Sequence, residues 1–225
     1  MHKLITARAR LWQLISPTLP VGAYAYSAGL EYAVEAGWVD TEEKAEDWII
    51  GQLQNNLSTL DVPILSRLYE AWQETNTENA KYWSRFLLAS RESSELLAED
   101  RQLGNALAQL LPELGIDEAL SWRGESYTSY SAMFALGACR WEIPIEETVQ
   151  GYLWSWSENQ VAAAIKLIPL GQTAGQRILS RVVHSLPGIV ERGLLVADND
   201  IGAVSPGVAM ASARHEVQYS RLFRS

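Results

Sequence analysis

The sequence predicts an all-α protein, a single-domain bundle of about nine or ten helices over residues 1–225. Three observations carry that expectation. Apolar residues recur at i, i+3, i+4 and i+7 in one window after another, the spacing of one helix face. Apolar and polar residues never alternate over the length of a strand, and no Asn-Gly or Asp-Gly pair marks a hairpin. Hydrophobic residues are 48% of the chain and charged residues 20%, as in a globular domain with one core.

Taken in order, Pro17-Thr18-Leu19-Pro20-Val21-Gly22-Ala23-Tyr24 places two prolines and a glycine ahead of a helix through Leu30 and Val34. This run reads as a rigid turn and also as a docking surface with Tyr24 and Tyr26 exposed. Ala45, Trp48, Ile49 and Leu53 form the next stripe, opened by Asp40 and Glu43 as a capping box. Leu65, Leu68, Tyr69 and Trp72 follow, with Pro63 placed as the first residue of their helix. Asn76-Thr77-Glu78-Asn79 reads as a loop. Leu96, Leu103, Leu107 and Leu110 mark another helix, which Pro112 is expected to stop, and Gly115-Ile116-Asp117 reads as the loop after it.

Pro144, with Glu146 and Glu147 where the helix dipole favours acids, opens a further helix. Its stripe runs through Val149, Tyr152, Leu153 and Trp156, then Val161, Ile165 and Ile168, as far as Pro169. Ile178, Leu179, Val182, Val183 and Leu186 mark one more, expected to end at Pro187-Gly188. The loop from Asp198 to Gly207 separates this body from a C-terminal segment, residues 208–225.

Composition excludes several classes. A net charge of −9 and a pI near 4.9 argue against nucleic-acid binding. Cys139 is the single cysteine, so no internal disulfide forms. The N-terminal residues contain no signal-peptide core, and no apolar run is long enough to span a membrane. The expected compartment is the cytosol. Nine Trp and nine Tyr against three Phe favour an interaction protein, and the stripes holding Trp48, Trp72 and Trp83 suit a core or a second subunit equally.

Catalytic motifs are missing. Gly171-Gln172-Thr173-Ala174-Gly175-Gln176 lacks the lysine of a phosphate-binding loop, and Tyr219 stands where a zinc-protease helix beginning at His215-Glu216 needs its second histidine. Around Ser27 the first glycine of a nucleophile elbow is absent. His2, His184, His215 and Cys139 are too scattered for a local metal motif. His184 reads as a structural residue, Cys139 as a small core residue, and no catalytic or metal residue is assigned. Lys166, among Ala162-Ala163-Ala164-Ile165 and Leu167-Ile168, must snorkel out or find an acceptor.

The last twelve residues stand apart. They carry three arginines against one glutamate, with Tyr219 and Phe223, on an acidic chain. Such a basic, aromatic segment is expected to dock, on its own body or on a partner.

Four stretches, in order, resemble the urease accessory protein UreF family. They are Leu14-Ile15-Ser16-Pro17-Thr18-Leu19-Pro20-Val21-Gly22 through Ser27-Ala28-Gly29-Leu30-Glu31, and Ser90-Arg91-Glu92 with Glu99-Asp100-Arg101-Gln102. Next come Lys166-Leu167 with Pro169-Leu170-Gly171-Gln172, and last Ala213-Arg214-His215-Glu216 through Tyr219-Ser220-Arg221-Leu222-Phe223-Arg224-Ser225. Ala23 stands where many members have a second glycine. The resemblance implies a non-enzymatic, dimeric scaffold without a cofactor. It would bind UreD (UreH in some organisms) and the GTPase UreG during nickel delivery to the urease apoprotein.

The resemblance also implies which residues bind partners: Arg214, His215, Glu216, Tyr219, Arg221, Leu222, Phe223 and Arg224, with Tyr24, Tyr26 and Lys166. Lys166 matches a control point for coupling UreG to metal delivery, and the Pro17–Ser27 stretch shapes the dimer or UreG interface. Tyr219 and Phe223, at i and i+4, suit one face of a short helix that orders on binding. Two alternatives remain: direct nickel carriage through His2, Cys139 or His215, and activation of the GTPase by Arg221 or Arg224.

Overall fold

The computed structural model describes residues 2–202 and 205–225, with only the backbone of His2. Within the loop predicted at 198–207, residues 203 and 204 therefore lie outside the described residues, as does the His2 side chain. The fold is an all-α single domain of ten α-helices, with no strand among the described residues. They are α1 (His2–Leu14), α2 (Leu30–Glu35), α3 (Glu42–Gln52), α4 (Val62–Gln73), α5 (Thr77–Ala89), α6 (Ser94–Glu113), α7 (Tyr130–Arg140), α8 (Ile145–Leu167), α9 (Gln172–Leu194) and α10 (Pro206–His215).

Helix α4 is the axis of the bundle, because its apolar residues cover most of its circumference. Val62, Ile64, Leu65, Leu68 and Ala71 are fully buried, and the helix packs against α5, α7, α8 and α9. Trp72 stacks at a tilt on Trp122, centroids 5.3 Å apart, and its indole N–H donates to the Ala132 carbonyl at 3.0 Å. Trp83 is buried as well and Trp48 half-buried, so two of these three indoles belong to the core of this chain. Burying such large side chains contributes most of the driving force for collapse.

Four local expectations need correction. Asp40 and Glu43 do not cap α3; Thr41 does, its hydroxyl accepting from the Lys44 N–H at 3.3 Å, while Asp40 pairs with Lys44. Pro63 is the second residue of α4, not the first, and α4 is no fresh start, because a π-helical stretch (Leu53–Asp61) joins α3 to it without a break. Asn76 to Asn79 is not a loop: the Asn76 side chain accepts from the Asn79 N–H at 3.1 Å and starts α5. Pro187 does not end α9, which runs on to Leu194. The residues beyond it explain why. Ile189 and Val190 are buried, and a Cβ at Gly193 would come within 2.5 Å of Val62. That packing outweighs the hydrogen bond a proline removes. Pro112, by contrast, lies in the final turn of α6 as expected.

A second, thinner layer lies on this bundle. It consists of α2, α10 and the segment after α10, laid against α6 and α8. Gly29 makes it possible. Its φ of +82° suits only glycine comfortably, and a Cβ there would come within 3.0 Å of the Ser212 backbone on α10.

Candidate partner-binding site

Residues 216–225 leave α10 without forming a helix and run back across α2 and α6. Their backbone is held by specific groups. The Glu31 carboxylate accepts the Leu222 N–H at 2.6 Å and the Phe223 N–H at 2.8 Å. Arg224 N–H donates to the Ala25 carbonyl at 2.8 Å, and Ser27 donates both its N–H (2.8 Å) and its hydroxyl to the Ser225 carbonyl. Phe223 is buried, with the Lys166 ammonium 5.5 Å above its ring centre.

Side chains of α6 supply the rest. Glu95 receives Arg221 at 2.9 Å and faces the His215 ring at 2.7 Å, while Glu99 accepts from the Ser225 hydroxyl at 2.8 Å. Gln102 accepts from the Tyr26 hydroxyl and, at 3.5 Å, from Arg224. Glu216 reaches back to the Ser94 hydroxyl (2.6 Å) and N–H (3.0 Å), which hold its carboxyl below the usual range. Burial pushes Glu99 the other way, up to about 7, against the Ser225 hydrogen bond and the nearby charge of Arg91.

The structure therefore gathers the expected residues on one side of the molecule but sorts them into two groups. Tyr219 is fully exposed, as are Val217 and Leu222 in large part, and Arg214, Arg221 and Arg224 reach the surface. His215 and Phe223 face inward. Tyr219 and Phe223 share no helical face in this conformation, because the Leu222 and Phe223 N–H groups donate to the Glu31 carboxylate and the Arg224 N–H to the Ala25 carbonyl instead of to a helix of their own. Tyr24 is exposed as expected. Tyr26 is not: it is 4% exposed, with its hydroxyl on Gln102 and its carbonyl accepting from Asn159 at 3.1 Å.

The receiving residues Glu31, Glu95, Glu99 and Gln102 are not among the residues expected to bind partners. One signal was available: Glu95, Glu99 and Gln102 repeat at helical spacing, an acidic and polar stripe matched to a basic segment.

Between this layer and the bundle lies a cavity of about 380 Å³, walled by Leu14, Pro17, Leu19, Tyr24, Leu57 and Trp156 among others. Its floor is ionic. Arg91 donates to Asp61 at 2.7 Å and to Asp100 at 2.8 Å. Asp61 also accepts from the Tyr152 hydroxyl at 3.3 Å, and Asp100 from the Tyr130 N–H at 2.7 Å. Burial opposes the Arg91 charge, but the two aspartates outweigh it and keep the guanidinium protonated; burial pushes the Tyr152 phenol up. The π-helical stretch delivers Asp61 to this point.

No group of three His, Cys, Asp or Glu side chains among the described residues is arranged to hold a metal ion. His215 is fully engaged by carboxylates, His184 faces the Ser180 carbonyl on the surface of α9 at 2.6 Å, and Cys139 is half-buried against the core. No helix among the described residues is long and apolar enough to cross a membrane. What the site offers is a shaped, charged surface.

Known proteins are similar to this chain in sequence. A family model described as UreF matches residues 39–183. The chain is 52% identical to the urease accessory protein UreF of Alkalilimnicola ehrlichii over 219 residues, covering 97% of this chain and 96% of that protein. It is 47% identical to UreF of Hahella chejuensis over 219 residues, 97% and 98% of the two chains. With UreF 2 of Brucella anthropi the identity is 44% over 225 residues, 100% and 99% of the two chains. The chain belongs to the UreF family of urease accessory proteins.

Proposed function

We propose that this protein is a non-catalytic, cytoplasmic scaffold of urease maturation. It bridges UreD/UreH and the GTPase UreG so that nickel, carried as cargo, reaches the urease apoprotein. It acts as a homodimer, with residues 208–225 as the docking segment of one domain. One observation carries this reading: the segment is braced on its inner side and free on its outer side. Phe223 and His215 are buried, whereas Tyr219, Leu222 and the surface arginines project outward. A pre-braced segment loses less entropy on docking than a disordered one. Arginine and tyrosine are also the side chains on which interfaces concentrate their affinity.

The test is a capture experiment on nickel-free proteins. Tagged UreD/UreH is offered the full chain and the chain ending at Ala213, and UreG is then added. The full chain is expected to bridge the two and the shortened one to bridge neither. Shortening also removes Phe223 from the body, so a second variant, Tyr219→Ala with Leu222→Ala, alters only exposed side chains. If that variant captures both partners as well as the unmodified chain does, the segment is not the contact.

Activation of the GTPase is a second reading, and one observation favours Arg224 over Arg221 for it. Arg221 is paired with Glu95, whereas among the described residues the Arg224 side chain makes only a 3.5 Å contact with Gln102. GTP turnover by UreG that rises with this chain and falls back with Arg224→Ala would support it.

A further inference from the structure

His215 lies at the junction of α10, α2 and α6 and is completely buried. Its Nδ1 is 2.7 Å from a Glu95 oxygen and its Nε2 is 3.0 Å from a Glu31 oxygen. A neutral imidazole carries one N–H and one lone pair. With both carboxylates ionised, the neutral ring would aim its lone pair at an anionic oxygen at hydrogen-bond distance. The imidazolium, with two N–H groups, satisfies both contacts. Charge points the same way. Glu31 and Glu95 bring two negative charges, and Arg221, on the second Glu95 oxygen at 2.9 Å, brings one positive charge. A protonated His215 closes the balance; a neutral one leaves Glu31, although two backbone amides donate to it, without a counter-charge.

We propose that His215 is held as an imidazolium and that its proton positions the C-terminal segment. The same Glu31 carboxylate that faces His215 Nε2 receives the Leu222 and Phe223 amides. With the ring protonated, Glu31 is fixed between α10 and the segment. When the proton leaves, Glu31 and Glu95 are no longer bridged, and the segment from Glu216 onward detaches first. His215 and Glu31 act through the segment rather than on any partner, so they are positioning residues. The consequence for partner capture rests on the docking role proposed above; the state of the ring does not.

The other ionisable groups around the ring do not replace this bridge. On α6, Glu99 lies one turn beyond Glu95 and is engaged with Ser225. Glu216 is engaged with Ser94, and Lys166 of α8 lies over Phe223. Arg214, the neighbour of His215 on α10, is exposed. Glu99 also loses its proton near neutrality, and a Glu99→Gln variant separates its titration from that of His215.

The experiment is nitrogen-detected NMR of the histidine rings in the full chain, run alongside amide exchange across a pH series. At mildly acidic pH, His215 is expected to show protons on both ring nitrogens. As the pH rises and one is lost, protection of the Leu222 and Phe223 amides should fall by about tenfold per pH unit. Amides of α8 should keep theirs, and the Glu99→Gln protein should behave alike. The His215→Gln protein should show fast exchange at those two amides at every pH.

A ring with a single N–H at mildly acidic pH overturns the proposal, as does amide protection that ignores the ring's titration. Capture of UreD/UreH, measured over the same series, should weaken as protection is lost. If ring and amides behave as expected while capture is unchanged, the docking role fails and the positioning proton stands.

Discussion

Two clusters in this molecule are built to the same plan, a cationic side chain gripped by two carboxylates, and the difference that matters is the chemistry of the central residue. At the cavity floor the cation is Arg91, between Asp61 and Asp100. Under the C-terminal segment it is His215, between Glu31 and Glu95. A guanidinium does not lose its proton in a protein; an imidazole is able to. The first cluster joins elements deep in the bundle, the π-helical stretch, α6 and α7, and cannot be switched off. The second joins elements of the outer layer. Under the positioning role proposed for His215, the cation that can lose its proton sits where detachment would leave the bundle whole.

The comparison breaks most severely at Arg91. Arg91→Met leaves two buried aspartates without a counter-ion, and removing one partner of a buried pair typically costs about 3–5 kcal/mol. Denaturant unfolding is expected to show that loss in full, with α4, α6 and α7 failing together. Phe223→Ala probes the other layer. It empties an aromatic site that is 6% exposed, and its loss of about 2 kcal/mol lies below the usual range for phenylalanine because the segment can come away from the body. Amide exchange should show the difference in kind: global opening for Arg91→Met, local opening of residues 216–225 for Phe223→Ala.

A smaller effect sharpens the contrast through pH. Glu99 borders the cavity and holds Ser225, and burial raises its carboxyl from 4.5 to about 7. A carboxyl raised on folding contributes stability that is present below its unfolded value and lost as pH rises through its folded value. The wild-type protein should therefore lose stability between about pH 4.5 and pH 7. Glu99→Gln keeps an acceptor for Ser225 but has no proton to lose. It should be more stable than wild type near pH 8 by roughly 1–2 kcal/mol, a figure discounted for the residue's partial exposure, and indistinguishable from it near the carboxyl's unfolded value. Equal stability at both pH values would mean that Glu99 is solvated.

Much of the bundle was legible because helix faces write themselves into sequence: the stripes at Leu65 to Trp72 and at Val149 to Ile168 are α4 and α8. What was not legible depended on context. Pro187 reads as a stop on local grounds, and only the packing of Ile189, Val190 and Gly193 carries α9 past it. Tyr26 looked exposed beside Tyr24, yet an acceptor on a distant helix, Gln102, turns it inward. In the site, the basic segment stood out by its charge. Its receivers on α2 and α6 stood out less: Glu95, Glu99 and Gln102 share a helical spacing, but nothing in an acidic chain singles that spacing out until the fold brings Glu31, Glu95 and Glu99 opposite His215, Arg221 and Ser225. The π-helical register that places Asp61 opposite Arg91 had no signature in the apolar pattern at all.

The smallest expected effect on stability tests the division of labour most directly. Tyr219 and Phe223 are four residues apart in one segment, and both are aromatic. Tyr219 retains its full exposure and Phe223 retains almost none. Tyr219→Ala should change unfolding free energy by less than about 0.5 kcal/mol, as for a surface side chain without packing. Amide protection at Leu222 and Phe223 should likewise stay at wild-type values. Under the docking role its effect must appear elsewhere, as weaker capture of UreD/UreH by a protein whose fold and segment are unaltered. A loss of stability on the scale of Phe223→Ala would mean that Tyr219 packs on the body in solution. Unchanged capture would shift the contact to the arginines, and Arg214→Ala would then be the substitution to measure, because that side chain is exposed at the end of α10.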